Sequence, residues 1–193
     1  MATNPAPTRL SARERLLDAA SELFYEEGIQ NVGVDRVIER AGVAKASLYN
    51  TFGSKDELVK AYLEARYARV TGRITRALET RQTPRAKLLG VFEAQGELFA
   101  EPGYNGCAFV GAVSGAPRGS VAQQASDAMR AWLRALLTDL ATQAGAGDPA
   151  ALARQLHLLY DGAAISAKMD RDPTAARYAR AAAEALLDAA LAD

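Results

Sequence analysis

The sequence predicts an all-α protein of about nine helices. Apolar side chains recur at intervals of three and four residues, which is the spacing of one helix face, and no segment has the alternating pattern of a strand. Capping residues, prolines at first helical positions and glycines at helix ends divide the chain into successive helices. With 193 residues, of which 49% are hydrophobic, the chain is long enough to form one large domain or two small ones.

The segment from Val32 to Leu58 contains two short helices joined by a glycine turn. The first helix has apolar residues at i, i+3, i+4 and i+7: Val34, Val37, Ile38 and Ala41. Gly42 ends it, because the residue after a helix often needs a positive φ, which glycine adopts without steric cost. A second helix then runs from Ala44 to Thr51, with Leu48 and Phe52 facing inward. The pattern predicts a helix-turn-helix over residues of about 33–52.

The second of these helices has an exposed face of short and hydrogen-bonding side chains. A DNA major groove admits such a helix with its N-terminal residues at the base edges, while the preceding helix crosses the backbone. We therefore expect groove or phosphate contacts from Ala44, Lys45, Ser47, Tyr49 and Asn50. Lys55, at the start of the following helix, is expected on a phosphate.

The same segment resembles a known family. Residues 34–58, VDRVIERAGVAKASLYNTFGSKDEL, resemble the helix-turn-helix of the TetR (tetracycline repressor) family, whose usual phrasing is a Thr or Ser before helix 2 and then AGVSKGTLYxxFxSKEEL. The resemblance covers residues from about 11 to 60. Gly33 stands where a capping Ser or Thr is common and Ala44 where Ser is common, so one hydroxyl that would bind a backbone phosphate is expected to be missing.

This resemblance implies a homodimer with an N-terminal three-helix DNA-binding domain and a C-terminal helical domain for ligand binding and dimerisation. We expect residues 1–10 to form a flexible arm, 11–55 the DNA-binding domain and 56–193 the second domain. An arm carrying Arg9 could touch the minor groove or a phosphate. The implied function is ligand-responsive regulation of transcription, most often repression, and the helix that begins near Lys55 would carry the signal between domains.

Overall charge argues against this function. The 23 basic and 23 acidic residues cancel, so the chain lacks the electrostatic footprint of a nucleic-acid binder, and a helical adaptor that does not bind DNA would explain the neutral charge. The placement of the charges favours a DNA reader: Arg9, Arg13, Lys45 and Lys55 lie at predicted helix starts near the DNA, and Glu22, Glu26 and Glu27 lie at the far end of helix 1. We therefore expect affinity to depend on few phosphates and on dimerisation. A salt-dependent affinity that requires a palindrome would distinguish the two classes.

The C-terminal half consists of capped, Ala- and Leu-rich helices. Four capping patterns mark helix starts: Thr83 with Pro84, Ser120 with Gln123, Asp148 with Pro149 and Asp172 with Pro173. The last two helices are rich in small residues and could form either an ordinary core pair or a four-helix dimer interface. The resemblance favours the interface, and a two-fold dimer implies a palindromic operator with half-sites ~34–36 Å apart or a multiple of this.

The C-terminal half also contains the candidate ligand and sensor residues. We expect an apolar cavity with one polar handle, for a small apolar or amphipathic effector: Phe92, Phe99, Phe109, Trp132 and Tyr160 as lining, and His157 or Asp161 as the handle. Each of these is also explained as a core residue. Cys107, the single cysteine, follows Gly106 at a predicted helix start, where the helix dipole would lower its pKa and favour thiolate. The alternative function of the protein is therefore a redox- or electrophile-sensing repressor that acts through Cys107. The alternative role of Cys107 itself is that of a small hydrophobic residue buried in the core.

An enzyme is the competing class, and its usual motifs are not found. The sequence has no G-x-G-x-x-G after a strand, no G-K-[ST] loop, no H-E-x-x-H and no G-x-S-x-G. With one Cys and one His, neither a metal site nor another cofactor is expected. No apolar stretch reaches about 18 residues and the N-terminus has no apolar signal core, so we expect a soluble cytoplasmic protein with no membrane partner.

Overall fold

The computed structural model describes residues 10–191. Within this range the chain forms nine α-helices and no strand, which confirms the predicted all-α class and helix number. The helices are α1 (Ala12–Glu27), α2 (Val34–Ala41), α3 (Lys45–Phe52), α4 (Lys55–Glu79), α5 (Pro84–Phe99), α6 (Ala108–Val113), α7 (Val121–Gln143), α8 (Pro149–Met169) and α9 (Ala175–Ala190). Apart from Leu10, the predicted arm with Arg9 lies outside the described residues.

The chain divides into two compact units between Leu63 and Glu64. This boundary falls inside α4, which continues through it as one helix. Among residues 10–191, no helix has the length and apolar character needed to cross a membrane.

The first unit is built on α1, against which α2 and α3 pack. Ser11 begins α1 with a capping box: its hydroxyl accepts from the Glu14 amide, and the Glu14 carboxylate accepts from the Ser11 amide at 2.7 Å. Leu16 is fully buried on α1, and the Phe24 ring meets Tyr62 edge to face with ring centroids 5.6 Å apart. Burial of aromatic and leucine side chains is the main source of stability in so small a core.

The turn between α2 and α3 is stabilised from two directions. Gly42 has left-handed backbone angles, φ 61° and ψ 44°, and its amide donates to the carbonyls of the last turn of α2. The Arg15 side chain of α1 donates from Nη1 to the Gly42 carbonyl at 3.0 Å and to the Ala41 carbonyl at 3.4 Å. The C-terminal carbonyls of a helix lack intrahelical partners, so this arginine ties the end of α2 to α1.

The second unit has a core formed by α5, α7, α8 and α9 with the C-terminal part of α4. The predicted caps at Thr83, Ser120 and Asp148 are confirmed, since each side chain accepts from a backbone amide three residues on. The predicted cap at Asp172 is wrong. Its carboxylate binds the amide and hydroxyl of Thr174, so Asp172 to Thr174 form a turn and α9 begins only at Ala175.

We expect opposite effects on the helix-turn-helix from substitutions at two glycines. Gly42→Ala forces a side chain into a left-handed conformation and should lower the local unfolding free energy by about 1–2 kcal/mol. Gly33→Ser is the matched control: Gly33 is the α2 N-cap at φ −80° with open space around a Cβ, so a serine hydroxyl can cap the helix and should raise that free energy by about 0.5–1 kcal/mol. Hydrogen exchange of the α2 and α3 amides measures both changes.

Candidate nucleic-acid interface

One face of α3 is buried and the other is open to solvent. Leu48 and Phe52 point into the first unit, as predicted, with 0% and 9% exposure. The other face exposes Lys45, Tyr49 and Asn50. Ala44, the exposed N-cap, precedes them, and Ser47 is half-buried. The structure therefore places five of the six candidate DNA-binding residues on one short helix and its N-cap.

Neither helix of the motif has a side-chain cap at its N-terminus. Gly33 and Ala44 are the N-caps of α2 and α3, and neither provides a capping side-chain bond. First-turn amides lack intrahelical partners and carry the positive end of the helix dipole. At both helices these amides receive no oxygen from the N-cap side chain.

Lys45 is paired within the motif. Its Nζ lies 2.8 Å from Oδ1 of Asp35, on α2, and both side chains are largely exposed. The hydrogen bond with Asp35 raises the pKa of Lys45, so this side chain is charged at neutral pH. Asp35 was not a candidate from sequence, because the ten-residue separation does not show which side chains meet.

Lys55 has a partner inside the first unit. Its Nζ donates to the Ile29 carbonyl at 2.8 Å and lies 6.0 Å from the centroid of the Phe24 ring. The ammonium thus binds the loop after α1 and contacts an aromatic face, both of which stabilise a partly buried cation. A phosphate contact would have to share or replace this bond, so the structure supports a structural role for Lys55 more directly than the expected phosphate role.

Acidic side chains of the first unit gather in a groove between α1 and α2. The groove has a volume of about 510 Å³ and is lined by Glu22, Leu23, Glu26, Glu27, Arg36, Glu39 and Arg40. Arg40 binds Glu22 at 2.7 Å, and Arg36 is paired with Glu27. The three glutamates expected at the far end of helix 1 all line this groove, and its two arginines are held by two of them.

The aromatic candidates of the second unit are divided among several contacts. Phe92 meets Tyr160 edge to face with centroids 6.3 Å apart, whereas Trp132 contacts Tyr67 and Phe99 contacts Tyr104. Phe92, Phe99 and Phe109 are at most 5% exposed. Burial raises the pKa of Tyr160, so its hydroxyl stays protonated. Among the five aromatic candidates, Phe92 and Tyr160 are the one pair whose rings contact each other.

The two polar candidates, His157 and Asp161, lie one turn apart on α8. His157 is 4% exposed, and its Nε2 lies 3.7 Å from Oδ1 of Asp161. Asp161 also accepts from Nη1 of Arg130, on α7, at 2.7 Å. Burial lowers the pKa of His157 more than the nearby carboxylate raises it, so the imidazole is neutral at pH 7. Arg130 was missed from the sequence because its partner is on another helix.

Gln95 is a second polar residue that sequence reasoning missed. It is 2% exposed on the apolar helix α5, and its Nε2 donates to the Tyr160 carbonyl at 2.7 Å. Its Oε1 is buried and has no partner among the described protein atoms. The side-chain amide of Gln95 cannot be flipped, because the Tyr160 carbonyl oxygen must face the Nε2 donor and not the Oε1 acceptor. Gln95 therefore presents an unsatisfied acceptor beside Tyr160, and nothing in its sequence context signalled this.

The expected lowering of the Cys107 pKa is wrong. Cys107 is the N-cap of α6, and the amides of Val110 and Phe109 do favour its thiolate. Burial of the thiol outweighs them and raises the pKa of Cys107. Desolvation disfavours a thiolate more strongly here than a six-residue helix stabilises it. In the part of the chain that the structure describes, no cluster of three acidic, His or Cys side chains could hold a metal ion.

Comparison with known proteins identifies the family. Residues 16–62 match the sequence profile described as bacterial regulatory proteins, tetR family. A TetR-family transcriptional regulator of known structure from Streptomyces coelicolor is 33% identical, with a TM-score of 0.87 over 93% of this chain and 96% of that one.

Two curated regulators from Mycolicibacterium smegmatis match part of the chain. The transcriptional activator FasR is 39% identical over 82 residues, 42% of this chain and 37% of its own length. The transcriptional repressor KstR2 is 32% identical over 97 residues, 50% of this chain and 47% of its own length. The chain thus spans less than half the length of each. With the fold and the helix-turn-helix described above, these similarities show that the chain belongs to the TetR family of DNA-binding transcriptional regulators.

Proposed function

We propose that this protein is a ligand-responsive repressor that binds a palindromic operator as a homodimer. The exposed face of α3 is the observation that carries the proposal. Lys45, Tyr49 and Asn50 are open to solvent, while Leu48 and Phe52 hold the helix in the first unit. A helix presented in this way can enter a major groove with its N-terminal end at the base edges.

We assign different contacts to the exposed side chains of α3. Tyr49 and Asn50 have hydrogen-bonding groups that can read base edges, and Asn is well suited to adenine. Lys45 and half-buried Ser47 are assigned to backbone phosphates, which position the helix. The methyl group of Ala44 permits close approach of the backbone. Lys55 is assigned mainly to the structural bond with Ile29.

The outer faces of α8 and α9 support dimerisation. Leu158, Ile165 and Met169 are 71%, 49% and 76% exposed, and with Gly162 they form one stripe along α8 at spacings of four, three and four residues. A Cβ at Gly162 would meet nothing within 4 Å, so another helix could approach closely there. Tyr178, on α9, is 75% exposed. Apolar surface of this extent favours burial against a second copy.

The second unit supports binding of a small apolar or amphipathic effector. Phe92 and Tyr160 provide aromatic surface, and the unsatisfied Oε1 of Gln95 provides an acceptor for a ligand hydroxyl or amide. Of the two candidates for the polar contact with the ligand, we retain His157, whose imidazole is neutral. Asp161 is less suitable because it is already paired with Arg130. The helix α4 is continuous through the unit boundary. An effector that binds one conformer of the second unit more tightly than another can therefore shift the position of α3, and the free energy of this shift equals the difference between its two binding free energies.

A redox-sensing repressor acting through Cys107 is the alternative function. Its physical basis was an activated thiolate at the start of α6, and burial removes that activation by raising the pKa of Cys107. We therefore place Cys107 with the packing residues, in contact with the core of the second unit.

Selection of duplexes from a random library by the purified protein should enrich an inverted repeat. Lys45→Ala should then weaken binding to the operator and to unrelated duplex alike, and the slope of log affinity against log salt should fall by about 1 for each phosphate that Lys45 neutralises. Fluorescence anisotropy measures both. Lys87→Ala, which removes the same charge from α5, is the control and should leave affinity unchanged. No enrichment at low salt would contradict the proposed operator binding.

Ile165→Arg should convert the dimer to monomer. The arginine would be buried without a partner if α8 packed on a second copy, so we expect the dimer dissociation constant to rise at least about tenfold. Sedimentation velocity measures it. Val110→Arg introduces the same charge at a site of similar exposure, 46% against 49%, and should leave the dimer intact. Equal dissociation constants for the wild type and the Ile165 variant would place the interface elsewhere.

Cys107→Ser should release operator DNA at the same peroxide concentration as the wild type. Because the pKa of Cys107 is raised, little thiolate exists near neutral pH, and alkylation by iodoacetamide should be slower than for free cysteine. Anisotropy titrations and mass spectrometry check the two expectations. A variant that resists peroxide while the wild type is released would establish Cys107 as the sensor.

A further inference from the structure

Lys45 is the only cation in the sequence of α3, and α3 contains no acidic residue. In the structure its charge is neutralised from the neighbouring helix, because Nζ of Lys45 lies 2.8 Å from Oδ1 of Asp35, the second residue of α2. We propose that Asp35 competes with the DNA backbone for Lys45 and so sets the affinity of this regulator for DNA. This inference rests on the proposed function, since it requires Lys45 in the DNA interface.

The chemistry of the two partners is alike. A carboxylate and a phosphate both offer anionic oxygens to an ammonium group, and the flexible lysine stem can turn from one to the other. The Lys45 side chain is 61% exposed and that of Asp35 is 77% exposed, so the pair opens without leaving a buried charge. Lys45 is therefore available to DNA only after it leaves Asp35 or shares its protons with both anions.

The other ion pairs of this unit do not involve α3. Arg36 with Glu27 and Arg40 with Glu22 join α2 to α1, and they line the acidic groove. The Lys45–Asp35 pair joins the two helices of the motif at the end where α3 begins. Of the ion pairs described within residues 10–63, it is the one whose opening changes the charge that α3 presents.

The size of the effect follows from the exposure of the pair. Exposed ion pairs change an equilibrium by about 1.4- to 5-fold. A dimer contains the pair twice, so removing Asp35 should tighten operator binding by about 2- to 30-fold. A purely structural role predicts the opposite sign. Asp35 is an acid in the first turn of α2, where it favours the helix, and its loss through that route would weaken the motif and DNA binding.

The test uses the full-length protein and the operator selected from the random library. Asp35→Asn keeps the shape and removes the charge, and we expect it to bind the operator about 2- to 30-fold more tightly by fluorescence anisotropy at fixed salt. Asp35→Glu keeps the charge and should return affinity to that of the wild type. In a Lys45→Met background, Asp35→Asn should change nothing, because no ammonium is left to release. Glu22→Gln opens an exposed ion pair that joins α2 to α1 and does not involve α3, and it should leave affinity within about twofold.

The outcomes separate the inference from the function on which it rests. If Lys45→Met weakens operator binding but Asp35→Asn does not tighten it, competition by Asp35 is excluded while the Lys45 contact stands. If Asp35→Asn tightens binding equally in the Lys45→Met background, Asp35 repels phosphate directly and the inference is wrong. If Lys45→Met binds as the wild type does, the proposed DNA contact fails together with the inference. Hydrogen exchange of the α2 amides checks that each variant keeps the helix, and Asp35→Ser replaces Asp35→Asn if it does not.

Discussion

The position of α3 depends on the turn at Gly42. A left-handed residue is required there for the chain to leave α2 and begin α3 within three residues, and a residue with a side chain would adopt it only with strain. Arg15 makes the turn dependent on α1 as well, because its guanidinium binds the carbonyls of Ala41 and Gly42. Once the turn is set, burial of Leu48 and Phe52 fixes the rotation of α3, and the exposed face follows.

The neutral charge of the chain is reconciled with DNA binding by internal pairing. Five cationic side chains of the first unit bind an oxygen atom of the same chain: Arg15, Arg36, Arg40, Lys45 and Lys55. Such a unit has no excess charge with which to bind a polyanion, so under the proposed function its affinity for DNA would come from a few exchanged ion pairs and from uncharged contacts. Two copies on one operator would multiply these weak contributions, which would give the proposed dimerisation a direct energetic role.

The second unit contains polar groups where an apolar core would be more stable. Gln95 has an unsatisfied acceptor, and His157 is neutral and almost completely buried. Burying a polar atom without a hydrogen bond costs free energy, about 1–3 kcal/mol for an amide by mutational measures. A buried polar group without a partner needs an explanation, and a ligand pocket is lined by apolar side chains with a few such polar groups. This is the physical reason for placing the proposed effector beside Tyr160.

The sequence by itself determined the features that depend on near neighbours in the chain. The capping box at Ser11, the stop at Gly42, the cap at Asp148 and the buried face of α3 each involve residues within about one helix turn, so their spacing reveals them. The start of α9 was the exception, because Asp172 bonds locally to Thr174 before the helix begins. Only the tertiary structure decided which distant groups meet. The partners of Lys55 and Asp161, the pair between Asp35 and Lys45, the orphaned oxygen of Gln95 and the burial that raises the pKa of Cys107 all arise between elements separated in sequence, where spacing carries no information.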